Sequence, residues 1–285
     1  MLALMWLVTR LPFALQMATG RLIGRLAYRL ARRRRRIAAI NIRLCFPELD
    51  AHRQDELVRA HFISLGQGIV ETALCWWGRD AQLRHRYQLI GEQHLDAARR
   101  RGKGTILLSA HFTTLELGGR LLALSQPFHV LYRRHGNRLL ESVMQRSRAR
   151  RFLSAIPRDD THALLGSLKQ NQAVWYAPDQ NHAGRQSLFA PFFGIQAATL
   201  TATSRLARIS GAAVVPFFQI RRPDNRGYLL VLCPPLAQFP GDDLQADAAR
   251  INRLIEAVVR EMPEQYLWVH RRFRTRPPGE ASPYT

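Results

Sequence analysis

Apolar residues recur along this chain at two different intervals, and the intervals sort it into elements. After Asp50, the residues Leu57, Leu65, Ile69, Ala73 and Trp76 return at helical spacing. Asp50 stands where an N-cap belongs, so a helix is predicted from there to about Trp77. Short apolar runs predict strands at Tyr87 to Ile90, Thr105 to Ser109, His129 to Tyr132, Leu153 to Ile156, Ala173 to Ala177, Ala213 to Phe218 and Tyr228 to Cys233. Between them, helical stretches are predicted near His94 to Arg101, ended by Gly102 and Gly104, and near Thr114 to Leu124, Arg138 to Phe152, Asp160 to Gln170, Leu200 to Ile209 and Asp243 to Met262. Alternation of this kind predicts the α/β class, with a mixed central sheet flanked by helices on both faces. In such open sheets, ligands collect at the carboxyl ends of the strands.

The first segment follows a different pattern. Residues 1–20, MLALMWLVTRLPFALQMATG, carry no charge but Arg10, with Pro12 inside the run. Arg21, Arg25 and Arg29 follow at helical spacing, then five consecutive arginines from Arg32 to Arg36. A spanning helix needs about 20 mostly apolar residues, and an arginine near mid-bilayer is expensive. A cleavable leader would place its charge ahead of the apolar stretch, the reverse of the order found here. The expectation is therefore an uncleaved N-terminal membrane-anchoring helix, spanning the bilayer or lying in its interface, with its arginines at the head groups and the body on the cytoplasmic side. An amphipathic helix docked on the core is the alternative. Residues 1–36 then form an anchor with a basic flank. Residues 37–285 form one further domain, since no Gly/Ser/Pro-rich linker divides them.

Charge narrows the choice of partner. The formal net charge is +21 over 285 residues. Nearly all the positive charge is arginine, because Lys103 and Lys169 are the only lysines. A balance this basic implies an anionic partner: a nucleic acid, an anionic membrane surface, or an acidic protein or substrate. Cys45, Cys75 and Cys233 are widely separated and form no CxxC pair, which argues against a disulfide framework and against a zinc site.

The stretch SAHFTTLELGG, Ser109 to Gly119, carries the first candidate chemistry. His111 falls just past a predicted strand end, and Glu116 falls in the first turns of the helix that follows. Residues five apart within one helix diverge, but a histidine on the turn before a helix can meet a glutamate inside it. An imidazole backed by a carboxylate is a positioned general base. No G-x-S-x-G nucleophile motif is present, so the activated group would belong to the substrate. A second polar cluster, Asp179-Gln180-Asn181-His182, follows the predicted strand AVWYA. Read from its residues alone, it is either a turn or part of a site.

Several extended blocks now combine. HFTTLELGG, VLYRRHGNRLLE (Val130 to Glu141), AVWYAPDQNHAGRQSLFAPFFGIQAATLTATSRLARISGA (Ala173 to Ala212) and PEQYLWVHRRFRTRPPGE (Pro263 to Glu280) together resemble, in order over nearly the whole chain, the late acyltransferases of lipid A biosynthesis. The resemblance implies a glycerolipid-acyltransferase-like α/β fold in a bacterial inner-membrane protein. The implied reaction moves an acyl chain from acyl carrier protein to a hydroxyl of an acyl chain on a Kdo-bearing lipid A precursor. It implies His111 and Glu116 as the catalytic pair, with Arg148 and Asp179 as further active-site positions. This reading needs no metal or nucleotide cofactor, and neither an HExxH motif nor a third ligand near His111 appears in the sequence. Where members of that family often carry proline after a tyrosine-arginine pair, this chain has Arg133-Arg134-His135. A bis-phosphorylated sugar acceptor would suit Arg133, Arg134 or Arg185, and an acidic carrier protein would suit the basic surface. The apolar run Ala190 to Gly194 and the small residues Thr199 to Ser204 serve either the core or an acyl tunnel.

Two other readings remain open at this point. One is an acyltransferase acting on a different membrane lipid. The other, from a different class, is a non-enzymatic basic protein of membrane surfaces or nucleic acids. Against nucleic acid as partner, the arginine run adjoins an apolar segment and no aromatic-basic RNA motif occurs.

Overall fold

The computed structural model describes residues 2–184, 186–224 and 226–285. Helices open the chain: α1 (Leu2–Val8), α2 (Phe13–Leu30), α3 (Arg32–Cys45), the long α4 (Ala51–Trp77) and a single turn, α5 (Asp80–Leu83). Strands and helices then alternate as β1 (Tyr87–Ile90), α6 (Glu92–Arg100), β2 (Thr105–Leu108), α7 (Leu115–Leu122), β3 (His129–Tyr132), α8 (Arg138–Ala149), β4 (Ala155–Pro157), α9 (Thr161–Lys169) and β5 (Ala173–Tyr176). A hairpin of β6 (Ser187–Phe192) and β7 (Ile195–Leu200) precedes α10 (Ala202–Ser210), β8 (Ala213–Arg221), β9 (Tyr228–Leu232) and α11 (Leu244–Glu261).

The main sheet has the order β1-β9-β8-β2-β5-β3-β4. Pairing is parallel throughout except between β8 and β9, so the sheet is mixed. The side-chain period of two explains how it is covered on both faces. Ile106 and Leu108 of β2 join Val174, Val214, Phe218, Ile251 and Ile255 in one buried cluster. Leu107, between them, joins Trp175, Val215 and Phe217, with Leu74, Leu117 and Leu121 from α4 and α7, in the other.

Helix α7 lies close against the sheet because of the paired glycines in LELGG. A Cβ on Gly118 would stand 2.3 Å from the Gln219 side chain, and one on Gly119 would stand 2.4 Å from the Trp175 ring. Strand β8 runs three residues beyond its predicted end at Phe218. The extension carries Gln219 and Arg221, polar side chains that are buried because the fold supplies partners for them. The hairpin was not among the predicted elements. Its turn is Phe193-Gly194, both at positive φ, 52° and 74°, the backbone that a tight hairpin requires. Phe192 and Phe193 pack on Tyr266, Phe46 and Trp268, so the aromatic pair of the run Ala190 to Gly194 belongs to the core, while Pro191 and Gly194 are exposed.

The N-terminus departs from a spanning anchor. Among the described residues no helix is long and apolar enough to cross a membrane. The apolar run is broken at Pro12 into two helices, and one face of α2 is used against α4. Gly20 and Gly24 of α2 meet Gln67 and Phe62 so closely that a Cβ on Gly24 would lie 2.3 Å from the Phe62 carbonyl oxygen. The outer face stays apolar and exposed, with Leu15, Leu22, Leu26 and Leu30 beside Arg25 and Arg29. Leu4, Trp6 and Leu7 of α1 are exposed as well.

Candidate active site

Strand register brings two loops together. Leu108, the last residue of β2, pairs with Tyr176, the last of β5. Three residues beyond each stand His111 and Asp179. The Asp179 carboxylate accepts two hydrogen bonds from the same residue, 2.6 Å from the His111 imidazole Nδ1 and 3.0 Å from its backbone N–H. Asp179 is buried, while the His111 side chain is 25% exposed, so the pair is closed on one side and open on the other. The Nδ1–H tautomer that this bond requires leaves Nε2 free to take a proton.

Around His111 the loop is fixed by backbone and hydroxyl bonds. The His111 carbonyl accepts from Leu267 N–H at 3.0 Å, and Thr113 N–H donates to the Gln265 carbonyl at 2.7 Å. Phe112 forms an antiparallel bridge with Tyr266. Thr114 Oγ1 donates to the Gln219 carbonyl at 2.9 Å, and Thr113 Oγ1 lies 2.8 Å from Ser64 Oγ. Behind Ser64 a buried ion pair joins α4 to β8. Arg221 donates to both Glu71 carboxylate oxygens at 2.6 and 2.7 Å and to Ser64 Oγ at 2.9 Å. Tyr228 Oη donates to the same carboxylate at 2.8 Å.

Glu116 does not reach the imidazole Nδ1, the place the spacing suggested for it. Its position in the first turn of α7 sends the side chain toward α8, where Arg148 Nη2 donates to it at 3.0 Å. Arg148 is buried, its guanidinium 5.2 Å over the Tyr132 ring, and its Nη1 has no partner among the described residues. Glu116 is 32% exposed. Arg133 is exposed just past the end of β3, Arg134 is exposed beside it, and Arg185 lies outside the described residues.

Electrostatics follow from these neighbours. Burial pushes the His111 pKa down, but the charge and hydrogen bond of Asp179, with the charge of Glu116, outweigh it and raise the imidazole above its ordinary value. Burial pushes Asp179 up, and His111, its two hydrogen bonds and the buried Arg272 more than reverse this, so the carboxyl is held below the usual range. His270 is pushed down to about 4, first by burial and then by the cations around it, so it stays neutral.

A cavity of about 10 Å³ lies behind the pair, lined by Asn41, Gln180, Tyr266, His270 and Arg272 as well as His111 and Asp179. It has room for a single water. Sequence reasoning placed no role on the wall that Tyr266, His270 and Arg272 build. Its only signal was the block YLWVHRRF, part of the last of the resembling segments, which the bridge between Phe112 and Tyr266 brings against the His111 loop. Among the described residues no group of histidine, cysteine and carboxylate side chains has the form of a metal site.

Residues 1–275 match the family model described as bacterial lipid A biosynthesis acyltransferase. The chain is 40% identical to the lipid A biosynthesis palmitoleoyltransferase of Escherichia coli K12 over 284 residues, 99% of this chain and 92% of that one. It is 38% identical to the lauroyltransferase of the same strain, over 99% of this chain and 93% of that one. To that strain's myristoyltransferase it is 30% identical, over 92% and 82%. With a family match over nearly the whole chain and relatives matched along almost their full length, this protein belongs to the bacterial lipid A biosynthesis acyltransferases, enzymes of lipopolysaccharide synthesis.

Proposed function

We propose that this enzyme transfers a fatty acyl chain from acyl carrier protein to a hydroxyl on an acyl chain of a Kdo-bearing lipid A precursor, with His111 as general base. The observation that carries the reading is the His111–Asp179 pair at the carboxyl end of the sheet. An acceptor hydroxyl has a high pKa and must lose its proton as it attacks a thioester, which asks for a base near neutrality. His111 Nε2 takes that proton while Asp179 holds the ring and stabilises the imidazolium. The acceptor oxygen bonds to the thioester carbon, the C–S bond breaks, and the departing thiolate recovers the proton from Nε2. Negative charge developing on the carbonyl oxygen needs a fixed donor, and the Arg148 guanidinium, held beside the solvent-reaching Glu116, is the candidate cation in this reading. Glu116 keeps that guanidinium in place and adds its charge to the field at His111. Arg133 and Arg134, exposed on the loop after β3, suit the sugar phosphates.

Residues 1–36 act in this proposal as a membrane-facing flank and residues 37–285 as the catalytic domain. The exposed leucines of α1 and α2 enter the interface of the inner membrane with Arg25 and Arg29 among the head groups, and the body lies on the cytoplasmic side. The test is mass spectrometry of lipid A from a strain lacking this protein, complemented with wild type or with His111→Ala. One secondary acyl chain is absent in the deletion, returns with wild type and does not return with His111→Ala. Restoration by both would remove His111 from the mechanism. Purified enzyme given acyl carrier protein thioester or free fatty acid tests the donor. Protease added to intact spheroplasts should spare the body, and digestion there would reverse the orientation.

A further inference from the structure

The wall behind His111 and Asp179 is held from outside by a contact that the proposed reaction does not use. Asn41 of α3 is buried beside the cavity. Its amide N–H groups donate to the carbonyls of Trp268 at 2.6 Å and His270 at 2.7 Å. An amide facing two carbonyls is satisfied in one orientation only, and that orientation turns Oδ1 away from them. There Oδ1 accepts from the hydroxyl of Tyr284, which also accepts from the Phe273 backbone N–H at 3.1 Å. Burial, first of all, pushes the Tyr284 phenol up to about 12, so the hydroxyl keeps the proton it donates.

The segment pinned in this way runs into the site at both ends. Leu267 N–H binds the His111 carbonyl, and Tyr266 bridges Phe112. At the other end His270 Nε2 accepts from Asn181 N–H at 3.0 Å. Asn181 exchanges two further bonds with Thr275, at 3.0 and 3.1 Å. Asn181 lies two residues past Asp179 on the same loop. The path from Tyr284 to the reacting pair is therefore continuous: hydroxyl, Asn41 amide, backbone of residues 268 to 273, His270, Asn181, Asp179. Tyr284 lies beyond the residues 1–275 that carry the family match.

We infer that Tyr284 and Asn41 form a clasp that positions the Asp179 carboxylate against His111, so that this C-terminal tail sets the activity of the base without touching substrate. The inference rests on the acyl-transfer reading of the site. It concerns positioning residues, and a loosened clasp has a signature that lost packing does not. Asp179 and Glu116 raise His111 and burial opposes them; the buried Arg272, whose charge acts on Asp179, and the neutral His270 and Tyr266 line the same cavity. Slackening the Asp179 contact lets the His111 pKa fall. The neutral imidazole is the active form, so the acid limb of kcat/KM moves to lower pH even as the rate drops.

The experiment compares wild type, Tyr284→Phe, Asn41→Asp and His111→Ala in detergent, with thioester donor and lipid acceptor. Tyr284→Phe, which removes only the hydroxyl, should lower kcat about tenfold with KM little changed and move the acid limb down. Asn41→Asp, which turns an anion toward two carbonyls, should do more; if it fails to fold, Tyr284→Phe alone decides. NMR titration of the His111 ring reads the same shift without turnover. A folded Tyr284→Phe with unchanged kcat and an unmoved limb overturns the clasp. So does a rate loss that tracks a lower Tm with the limb and the ring titration unmoved. If His111→Ala is inactive while Tyr284→Phe behaves as wild type, only the clasp falls. If His111→Ala keeps the wild-type rate, the general-base reading falls, and the ring titration still judges the clasp.

Discussion

Two ion pairs flank the His111 loop, and they differ in how completely they are closed. Glu71 and Arg221 are both buried. Arg221 uses all three guanidinium nitrogens, both Glu71 oxygens accept, and Ser64 and Tyr228 complete the set. Glu116 and Arg148 share one bond of 3.0 Å, Glu116 reaches solvent, and one Arg148 nitrogen has no partner among the described residues. A buried polar network with every group paired fixes geometry. In the second pair it is the Glu116 carboxylate that stays accessible, at the carboxyl edge of the sheet where ligands collect. On the proposed mechanism, this difference divides scaffold from chemistry. His111 with Asp179 belongs to the open class, because one side of the imidazole stays accessible.

The largest expected effect tests that classification at its centre. His111→Ala should reduce transfer by about 10³-fold or more per folded molecule; because it also leaves the buried Asp179 without its ring hydrogen bond, Tm is measured alongside and the rate is taken on the folded fraction. Wild-type turnover in this variant would end the general-base reading. Asp179→Asn should follow at about 10²- to 10⁴-fold, since the amide can neither hold the Nδ1–H tautomer nor stabilise the imidazolium. The sign of its pH effect is fixed. Asp179 raises His111, so without it the imidazole loses its proton at lower pH, and the acid limb of kcat/KM moves down. A limb that moves up would mean that another group carries the titration.

The closed pair should respond in the opposite way. Glu71→Gln leaves Arg221 buried without its counter-charge, which costs about 3–5 kcal/mol of stability. The fraction that remains folded should turn over at a rate within a few-fold of wild type. Chemical denaturation and initial rates on the same preparations separate the two readouts. Full stability with a collapsed rate would place Glu71 in the chemistry and abolish the contrast.

Much of this arrangement was legible before any coordinates. The α/β alternation, the Asp50 cap, which accepts from Arg53 N–H at 2.8 Å, and the placing of His111 at a strand end all follow from short-range pattern. Pairing Asp179 with His111 did not, because it depends on the register of β2 against β5, a relation between segments 68 residues apart. Sequence spacing offered Glu116 as the carboxylate behind the ring, since only near neighbours are visible along a chain. The wall of Tyr266, His270 and Arg272 was hidden for the same reason. The N-terminal run, with Arg10 and Pro12 inside it, left a spanning and an interfacial anchor both open when read from sequence. Pro12 divides it, and the glycines that let α2 lie on α4 carry no hydropathy signal.

The smallest effects concern the arginines of α8, where the sequence Arg146-Ser147-Arg148-Ala149-Arg150-Arg151 presents near-identical residues in different settings. Arg148 is buried, stacks over Tyr132 and bonds Glu116, whereas Arg150 is exposed. Lysine keeps the charge but not the planar fork, and it cannot both hold Glu116 and present a second fixed N–H. Arg148→Lys should therefore lose about tenfold in kcat, roughly 1.4 kcal/mol of transition-state stabilisation, with little change in Tm. Arg150→Lys should be silent within error, since an exposed charge of this kind contributes about 0–1 kcal/mol at most. Initial rates at equal expression decide the point. Equal rates for the two variants would mean that the unpartnered Arg148 nitrogen has no task in the reaction, and the open pair would then be no more than a solvated edge of the scaffold.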